Sequence, residues 1–405
     1  MFLEIDDKER EKSIMENNFL SICIIVKNEE KRIQKCLQSF EKYGFEVVVV
    51  DTGSSDHTKD VALKYTQNVY DFKWCDDFSK ARNFAISKAS GNYVMVIDSD
   101  EYLKEINLEL LKKNIIENQG KVGRIQLINI LKNDETLQEN YARINRIFDK
   151  RRFCYEGKIH EQIVSKNGTN YDTYIAPVVI EHSGYNMSIE ERKKKTERNI
   201  RLLEKELKQL ICDDIDSEQC LEKVMSEINN IEDHDGKIKS DSRIPYILYQ
   251  LGKGFYMSKD YKKSCFYFES ALQFNPNFKL EYVVDLIETY GYALLNSQQE
   301  QKALMFENIY DDFGASADFK FLMGLIYMNN GMYADAIKEF KGAQEFSHVR
   351  MQGVNTYLAN YNIGVIYECL GNCEEAKNNY RLCGDYSLAK KRLELLGKDS
   401  YKKNS

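Results

Sequence analysis

Proline is scarce and tryptophan nearly absent: three prolines and one tryptophan stand in 405 residues. Each proline inside a helix removes a donor and breaks the ladder, so their rarity leaves room for long helices. No apolar run approaches the ~20 residues of a membrane-spanning helix. The opening MFLEIDDKEREKS lacks the basic and apolar regions of a secretory signal. These two absences predict a cytoplasmic chain with no transmembrane segment. A basic excess is missing as well: 57 Lys and Arg against 64 Asp and Glu leave a net charge of −7. That balance excludes a general nucleic-acid binder. Cysteine spacing of the zinc-binding kind is also lacking. The ten cysteines are scattered, and Cys369 and Cys373, at i and i+4, have no second pair nearby to complete a site. Cys23, Cys36 and Cys265 fall at core-like positions, as free thiols in a reducing compartment do.

What is present is a soluble composition, 43% hydrophobic and 30% charged, with 27 tyrosines. The length suits two or three domains. From Phe19 to about Glu181 short apolar runs alternate with helical periods. SICIIV (21–26), FEVVVVD (45–51) and YVMVID (93–98) are near-continuous runs, as in strands buried on both faces. Ile33, Cys36, Leu37 and Phe40 recur at helical spacing between the first two. This βαβαβ order predicts an α/β domain, a Rossmann-like sheet with right-handed crossovers. GRIQLINI (123–130), NRIFDKRRFCYEG (145–157) and IAPVVIEHSGY (175–185) read as later strands and loops.

From Ser188 the β signal stops. A charged helix carries Ile200, Leu203 and Leu207 on one side, and residues 213–243 read as an acidic, loose connector. A repeat near 34 residues follows. Leu248, Leu251, Gly252, Phe255, Phe268, Ala271 and Pro276 sit at offsets 4, 7, 8, 11, 24, 27 and 32. Gly324, Tyr327, Ala336, Phe340 and Ala343 repeat the pattern; Gly364, Tyr367, Ala376 and Tyr380 do so again. Gly291, Leu294 and Ala303 form a weaker copy. This is the tetratricopeptide pattern and predicts an all-α repeat domain. The expected division is 1–18 extension, 19–187 α/β domain, 188–243 connector, 244–395 repeats and 396–405 polar tail.

The chemistry concentrates at predicted strand ends. VKNEEKRI (26–33), DTGSSDHT (51–58), DSDE (98–101) and GKIHEQ (157–162) each follow a strand, and four such clusters on one sheet edge make a pocket. Asp98-Ser99-Asp100 offers hard oxygen ligands for a divalent cation. DDFSKARN (76–83) adds Asp77, Arg82 and Asn83. Arg82 suits either an ion pair with Asp98 or a phosphate. His182 ends a later strand. His57 suits a helix start beside Asp56, and His234 and His348 carry no functional signal. The basic runs Lys31–Arg32 and Arg192–Lys195 read as solvated helix faces.

Taken in order, these segments resemble the family 2 glycosyltransferases of GT-A fold over about residues 19–185. The run VKNEEKRIQKCL, VVDTGSSDHT, DDFSKARN, IDSDE, GKIHEQ and EHSGYN, followed by KKKTERN, is similar to the peptide S-glycosyltransferases of glycocin biosynthesis, sublancin type. It is also similar to enzymes of surface polysaccharide and lipopolysaccharide core assembly. The resemblance implies a GT-A mixed sheet followed by tetratricopeptide-like helices. It places Val26, Asn28, Glu29, Asp51, Ser54, Asp77, Arg82, Asp98 and Ser99 on the nucleotide-sugar side. Asp100 would ligate Mg²⁺ or Mn²⁺, with His182 as a further ligand.

Sugar transfer needs a leaving diphosphate stabilised by cations and an acceptor deprotonated as it attacks. Glu161 is the candidate general base, with His160 beside it as ligand, orienting group or alternate base. Asp100 and Glu101 are assigned to the metal side. The expected reaction is inverting transfer of a hexose from a UDP-sugar, UDP-glucose favoured, to Cys or Ser of a peptide held by the repeats. Rival readings are transfer to an envelope glycan or lipid-linked acceptor, and an inactive repeat scaffold. Homodimerisation is the rival role for the repeats.

Overall fold

The computed structural model describes residues 19–133, 136–182, 189–211 and 243–402. The 1–18 extension, most of the 213–243 connector with His234, and the Ser-Gly-Tyr after His182 lie outside them. The chain forms two compact units, Met1–Arg192 and Lys193–Ser405. The divide falls within a helix, Ile189–Ile211.

Among the described residues the first unit is built on ten strands: β1 (Leu20–Val26), β2 (Glu46–Asp51), β3 (Val69–Asp71), β4 (Tyr93–Asp98), β5 (Glu101–Ile106), β6 (Val122–Asn133), β7 (Thr136–Asp149), β8 (Phe153–Glu156), β9 (Gln162–Ser165) and β10 (Thr173–His182). Eight form one mixed sheet in the order β3-β2-β1-β4-β7-β6-β10-β5, and β8 pairs with β9 separately. β3, β2, β1 and β4 run parallel, while β7 is antiparallel to β4 and β6. The strand order reverses at β1, so the ends of β1, β2 and β4 face the crevice where such sheets bind ligands.

The apolar runs of β1, β2 and β4 divide between two cores. Leu20, Ile22, Ile24, Val49, Met95 and Ile97 pack on one face with Ile33, Cys36, Leu37 and Phe40 of the helix Ile33–Glu41. Cys23, Val48, Val50, Val94 and Val96 pack on the other with Ala85 and Ile86 of the helix Phe78–Lys88. A strand buried on both faces has no polar position to spare, which accounts for the unbroken runs. Burial pushes the Cys23 thiol up to about 12, so it is an inert core residue.

The second unit is helical: Arg243–Met257, Tyr261–Leu272, Glu281–Asn296, Ala317–Asn329, Tyr333–Ala343, Tyr357–Cys369, Cys373–Arg381 and Ser387–Lys402 follow Ile189–Ile211. The last of these covers part of the expected polar tail. Three glycines of the repeat admit an aromatic ring from the paired helix. A Cβ on Gly252 would stand 2.5 Å from Phe268 Cε1, one on Gly324 2.6 Å from Phe340 Cε1, and one on Gly364 2.6 Å from Tyr380 Cε1. The weak copy has a cause. After Glu281–Asn296 the second helix is broken into Glu300–Ala303, a 3₁₀ turn Leu304–Ile309 and Tyr310–Phe313, and Gly291 meets Leu322 instead.

Candidate active site

The ends of β1 and β2 are laced into one wall. Val26 gives its carbonyl to Thr52, which donates from its backbone nitrogen at 2.9 Å and its hydroxyl at 3.0 Å. Buried Asp51 accepts on Oδ1 from the Gly53 and Ser54 backbone N–H groups, at 2.9 and 2.8 Å. Asn28 takes a left-handed conformation, φ 56°. Its backbone N–H donates to Ser54 Oγ at 2.9 Å, and its Oδ1 accepts from the Ser55 N–H at 2.8 Å. The Glu29 N–H donates to Thr58 Oγ1 at 2.7 Å. Val26, Asn28, Glu29, Asp51 and Ser54, from segments over twenty residues apart, therefore lie together. His57 stands at the start of the short helix Thr58–Ala62, but Asp56 accepts the Thr58 N–H at 3.0 Å.

A buried chain of charges lies beneath the DSD segment. Arg82 donates from Nη2 to Asp98 Oδ1 at 2.8 Å and from Nε to Glu161 Oε1. Arg146 donates from Nη2 to Asp98 Oδ2 at 3.1 Å and to Glu101 Oε1 at 2.8 Å. The other Glu101 oxygen accepts the Asp98 backbone N–H at 3.0 Å. Burial pushes the Asp98 carboxyl toward protonation, but the two guanidinium groups outweigh it and hold Asp98 well below the usual carboxylate range. Glu101 moves the other way, raised by burial against the pull of Arg146. Arg82 Nη1, Arg146 Nε and the Tyr155 hydroxyl are buried with no hydrogen-bond partner among the described residues. Burial also lifts the Tyr155 hydroxyl to about 12.

Asp100 and His182 meet at the strand ends, with His182 Nε2 3.4 Å from Asp100 Oδ2. Asn129 Oδ1, from the neighbouring β6, lies 2.8 Å from His182 Nδ1 and orients the ring. Burial disfavours the imidazolium, yet Asp100 outweighs it and His182 is raised above its ordinary value. A carboxylate oxygen and an imidazole nitrogen this close suit one shared divalent cation. No group of three or more His, Cys, Asp or Glu side chains fit for a metal occurs among the described residues.

Residues 21–172 match the family model described as glycosyl transferase family 2. The first unit carries a family 2 glycosyltransferase domain. Over 203 residues the chain is 32% identical to the SPbeta prophage-derived glycosyltransferase SunS of Bacillus subtilis, covering 46% of this chain and 44% of that protein. Over 156 residues it is 31% identical to the lipopolysaccharide core biosynthesis glycosyltransferase LpsC of Rhizobium meliloti, covering 36% of this chain and 57% of that one. A TPR repeat-containing protein of Synechococcus elongatus is 32% identical over 135 residues, covering 33% of this chain and 32% of its own. The chain thus spans less than half the length of SunS and about a third of the TPR protein. Among solved structures, S. aureus TarS 1–349 in complex with UDP-GlcNAc aligns at 16% identity and TM-score 0.34, over 72% of this chain and 91% of that one. The family match and the mixed sheet agree with the GT-A domain expected, and the paired helices and the likeness to the TPR protein agree with the repeat domain.

Not every polar segment of the glycosyltransferase domain ends at the same strand edge. The fourth polar cluster, GKIHEQ, follows β8, which belongs to the separate two-stranded sheet. Glu161 is joined to the main sheet's edge through Arg82 rather than by sharing that edge. Glu101 is 2% exposed and bound to Arg146, and it stands opposite His182 in the β5–β10 register. Asp77 caps the helix Phe78–Lys88, accepting the Lys80 N–H at 3.0 Å and the Ser79 hydroxyl at 2.7 Å. Asn83 clamps β8, exchanging two hydrogen bonds with the Tyr155 backbone at 2.8 and 2.9 Å. Ser99 is buried, and His160 takes a left-handed φ of 51°. Arg32 is not a solvated charge alone; it pairs with Glu29 at 3.1 Å.

Arg146 is the site residue that no sequence motif singles out. The alternation of β7 hides it: the register with β6 shifts beside Arg146, so Ile144 packs in one core and Phe148 in the other although they are four residues apart.

Proposed function

We propose that the chain transfers a hexose from a UDP-sugar, glucose favoured, to a Cys or Ser side chain of a peptide, with inversion at the anomeric carbon. The observation that carries this reading is the junction at Arg82, which joins Asp98 of the DSD segment to Glu161. In this reading the wall formed by Asn28, Asp51 and Ser54 receives the nucleotide. A divalent cation held by Asp100 and His182 would supply positive charge to the departing diphosphate.

The acceptor sulfur or oxygen forms a bond to the anomeric carbon while that carbon's bond to the diphosphate oxygen breaks. The electron pair leaves with the diphosphate. Glu161 takes the acceptor proton, with His160 the alternate base; a thiol needs that help less than a hydroxyl, because it ionises more readily. Arg82 orients Glu161 and screens it from Asp98. The helical repeats hold the peptide, since stacked repeats offer an extended surface suited to one.

Incubation with UDP-glucose and Mn²⁺ should release UDP, and Asp100→Ala should abolish that release. Persistence of full turnover in Asp100→Ala overturns the metal assignment. Mass spectrometry of a candidate peptide after incubation reads the acceptor atom. The likeness to LpsC supports a second reading, transfer to an envelope glycan. It stands if oligosaccharide acceptors are modified and peptides are not.

A further inference from the structure

Three first helices of successive pairs in the second unit, Arg243–Met257, Glu281–Asn296 and Ala317–Asn329, carry a polar cluster that the repeat packing does not need. Asp285 and Glu288 stand three residues apart on the middle helix, so they share a face. A segment following the helix Tyr333–Ala343 brings Arg350 to both. Its Nη2 donates to Asp285 Oδ1 at 2.8 Å, and its Nη1 lies 3.1 Å from Glu288 Oε2. The backbone of that segment is fixed independently. Asp318 accepts the N–H groups of Arg350 and Met351, at 2.9 and 2.7 Å.

Aromatic rings adjoin the carboxylates. The Tyr249 hydroxyl donates to Asp285 Oδ2 at 2.6 Å, and Lys253 Nζ lies 2.8 Å from the same oxygen. Tyr246 and Tyr249 each contact Tyr282, with ring centroids 5.3 and 5.4 Å apart.

Glu288 separates this cluster from an ordinary surface ion pair. The residue is 9% exposed, and its Oε1 is buried with no hydrogen-bond partner among the described residues. Arg350 serves only the other oxygen, and its own side chain is 44% exposed. A guanidinium aligned fork-to-fork on the carboxylate would satisfy both oxygens. Arg350 instead straddles two carboxylates, so Glu288 stays half-satisfied. Burial, opposed by Arg350 and reinforced by Asp318 and Asp285, pushes the Glu288 carboxyl up to about 7.

We propose that Asp285, Glu288 and the adjoining tyrosines form a recognition pocket for an arginine side chain of the acceptor peptide, held in cis by Arg350 until the acceptor displaces it. This rests on the reading that the repeats hold a peptide acceptor. The chemistry selects the ligand. Above pH 7, where Glu288 is ionised, three carboxylates, Asp285, Glu288 and Asp318, face two cations, Lys253 and Arg350, so an acidic side chain is repelled. The planar guanidinium matches both the bare carboxylate oxygen and the tyrosine faces. Arg350 is tethered through its backbone by Asp318, so its side chain can leave the carboxylates while the segment stays in place.

The probes are N-acetylarginine amide and its neutral counterpart N-acetylcitrulline amide, titrated calorimetrically into the full chain. Arg350→Ala opens the pocket and should bind the arginine probe at least about tenfold more tightly than the unaltered chain and than it binds citrulline. Adding Glu288→Gln should remove that preference. Binding of neither probe by Arg350→Ala, or of both equally, overturns the pocket and leaves Arg350 a loop staple. If Arg350→Ala does not fold, Arg350→Lys serves, since a single ammonium cannot bridge both carboxylates; the same preference decides. With an arginine-bearing acceptor peptide, Glu288→Gln should raise KM severalfold and leave the KM for the citrulline peptide in place. Probe binding without that change in KM keeps the cation pocket and overturns its assignment to the acceptor.

Discussion

Arg82 and Asp98 are joined from Nη2 to Oδ1 at 2.8 Å, and the same guanidinium holds Glu161 through Nε. One side chain thereby fixes the spacing between the acidic strand end and the candidate base. Lysine cannot do this, because one ammonium lacks the fork that reaches two carboxylates in fixed directions. Arg82→Lys should lower kcat/KM by about a hundredfold, at a cost of ~3 kcal/mol in transition-state stabilisation, with the fold retained by circular dichroism. Arg82→Ala leaves two carboxylates without their partner and should cost ~3–5 kcal/mol of stability, read by urea unfolding. A Lys variant with full turnover would sink the positioning role.

Arg146 is expected to act on stability and donor use together. It binds Asp98 and the 2%-exposed Glu101. Arg146→Ala strips a buried carboxylate of its cation, so unfolding should ease by ~3–5 kcal/mol. Arg146→Ala with Glu101→Gln should recover part of that loss, because the uncompensated charge goes with it. No recovery in the double variant would show that the two residues act separately.

Glu288 gives a pH signature. Its carboxyl is raised to about 7 in the folded chain, from 4.5. The folded state therefore binds more protons than the unfolded one between those values, so stability is fully present below about pH 4.5 and falls as pH rises through about 7. The loss amounts to at most ~3 kcal/mol. Melting temperature measured from pH 4.5 to 7.5 should decline more steeply for the unaltered chain than for Glu288→Gln. Equal slopes would mean the carboxyl is not raised.

Gly324→Ala should reverse the usual sign of a helical glycine replacement. Alanine ordinarily stabilises a helix interior by up to ~1 kcal/mol. Here the new methyl stands 2.6 Å from Phe340 Cε1, a ring that is fully buried. Overpacking should destabilise the chain by ~1–3 kcal/mol, visible as a lower urea midpoint. Gly324→Ala with Phe340→Leu should regain much of it.

The parallel core of the sheet was legible because β1, β2 and β4 are buried on both faces and write uninterrupted apolar runs. β3 was not: three residues at a sheet edge, Val69–Asp71, carry no period. The repeat was legible through its glycines and aromatics, since each close approach requires both partners at a fixed spacing. Where Glu300–Ala303 and the 3₁₀ turn replace a full helix, the spacing loses its partner and the signal fades. In the candidate site, local motifs singled out strand ends that the fold brings together, yet their partners were hidden by sequence distance. Asp98 meets Arg146 from 48 residues away and Glu161 reaches it only through Arg82. Nor does a motif reveal that the Asp77 carboxylate caps a helix.

The division of β4 between two cores acts as a ruler for the DSD segment. Met95 and Ile97 belong to one core, Val94 and Val96 to the other. Removing a single residue from this strand would exchange the cores' contents and rotate Asp98 away from both arginines. Removing two would keep the faces but shorten the strand by ~7 Å. The acidic segment can thus be shifted along the sheet only in steps of two, and each step overshoots the reach of Arg82. Diversification of this site is channelled into the loops after the strands, where length is free to vary.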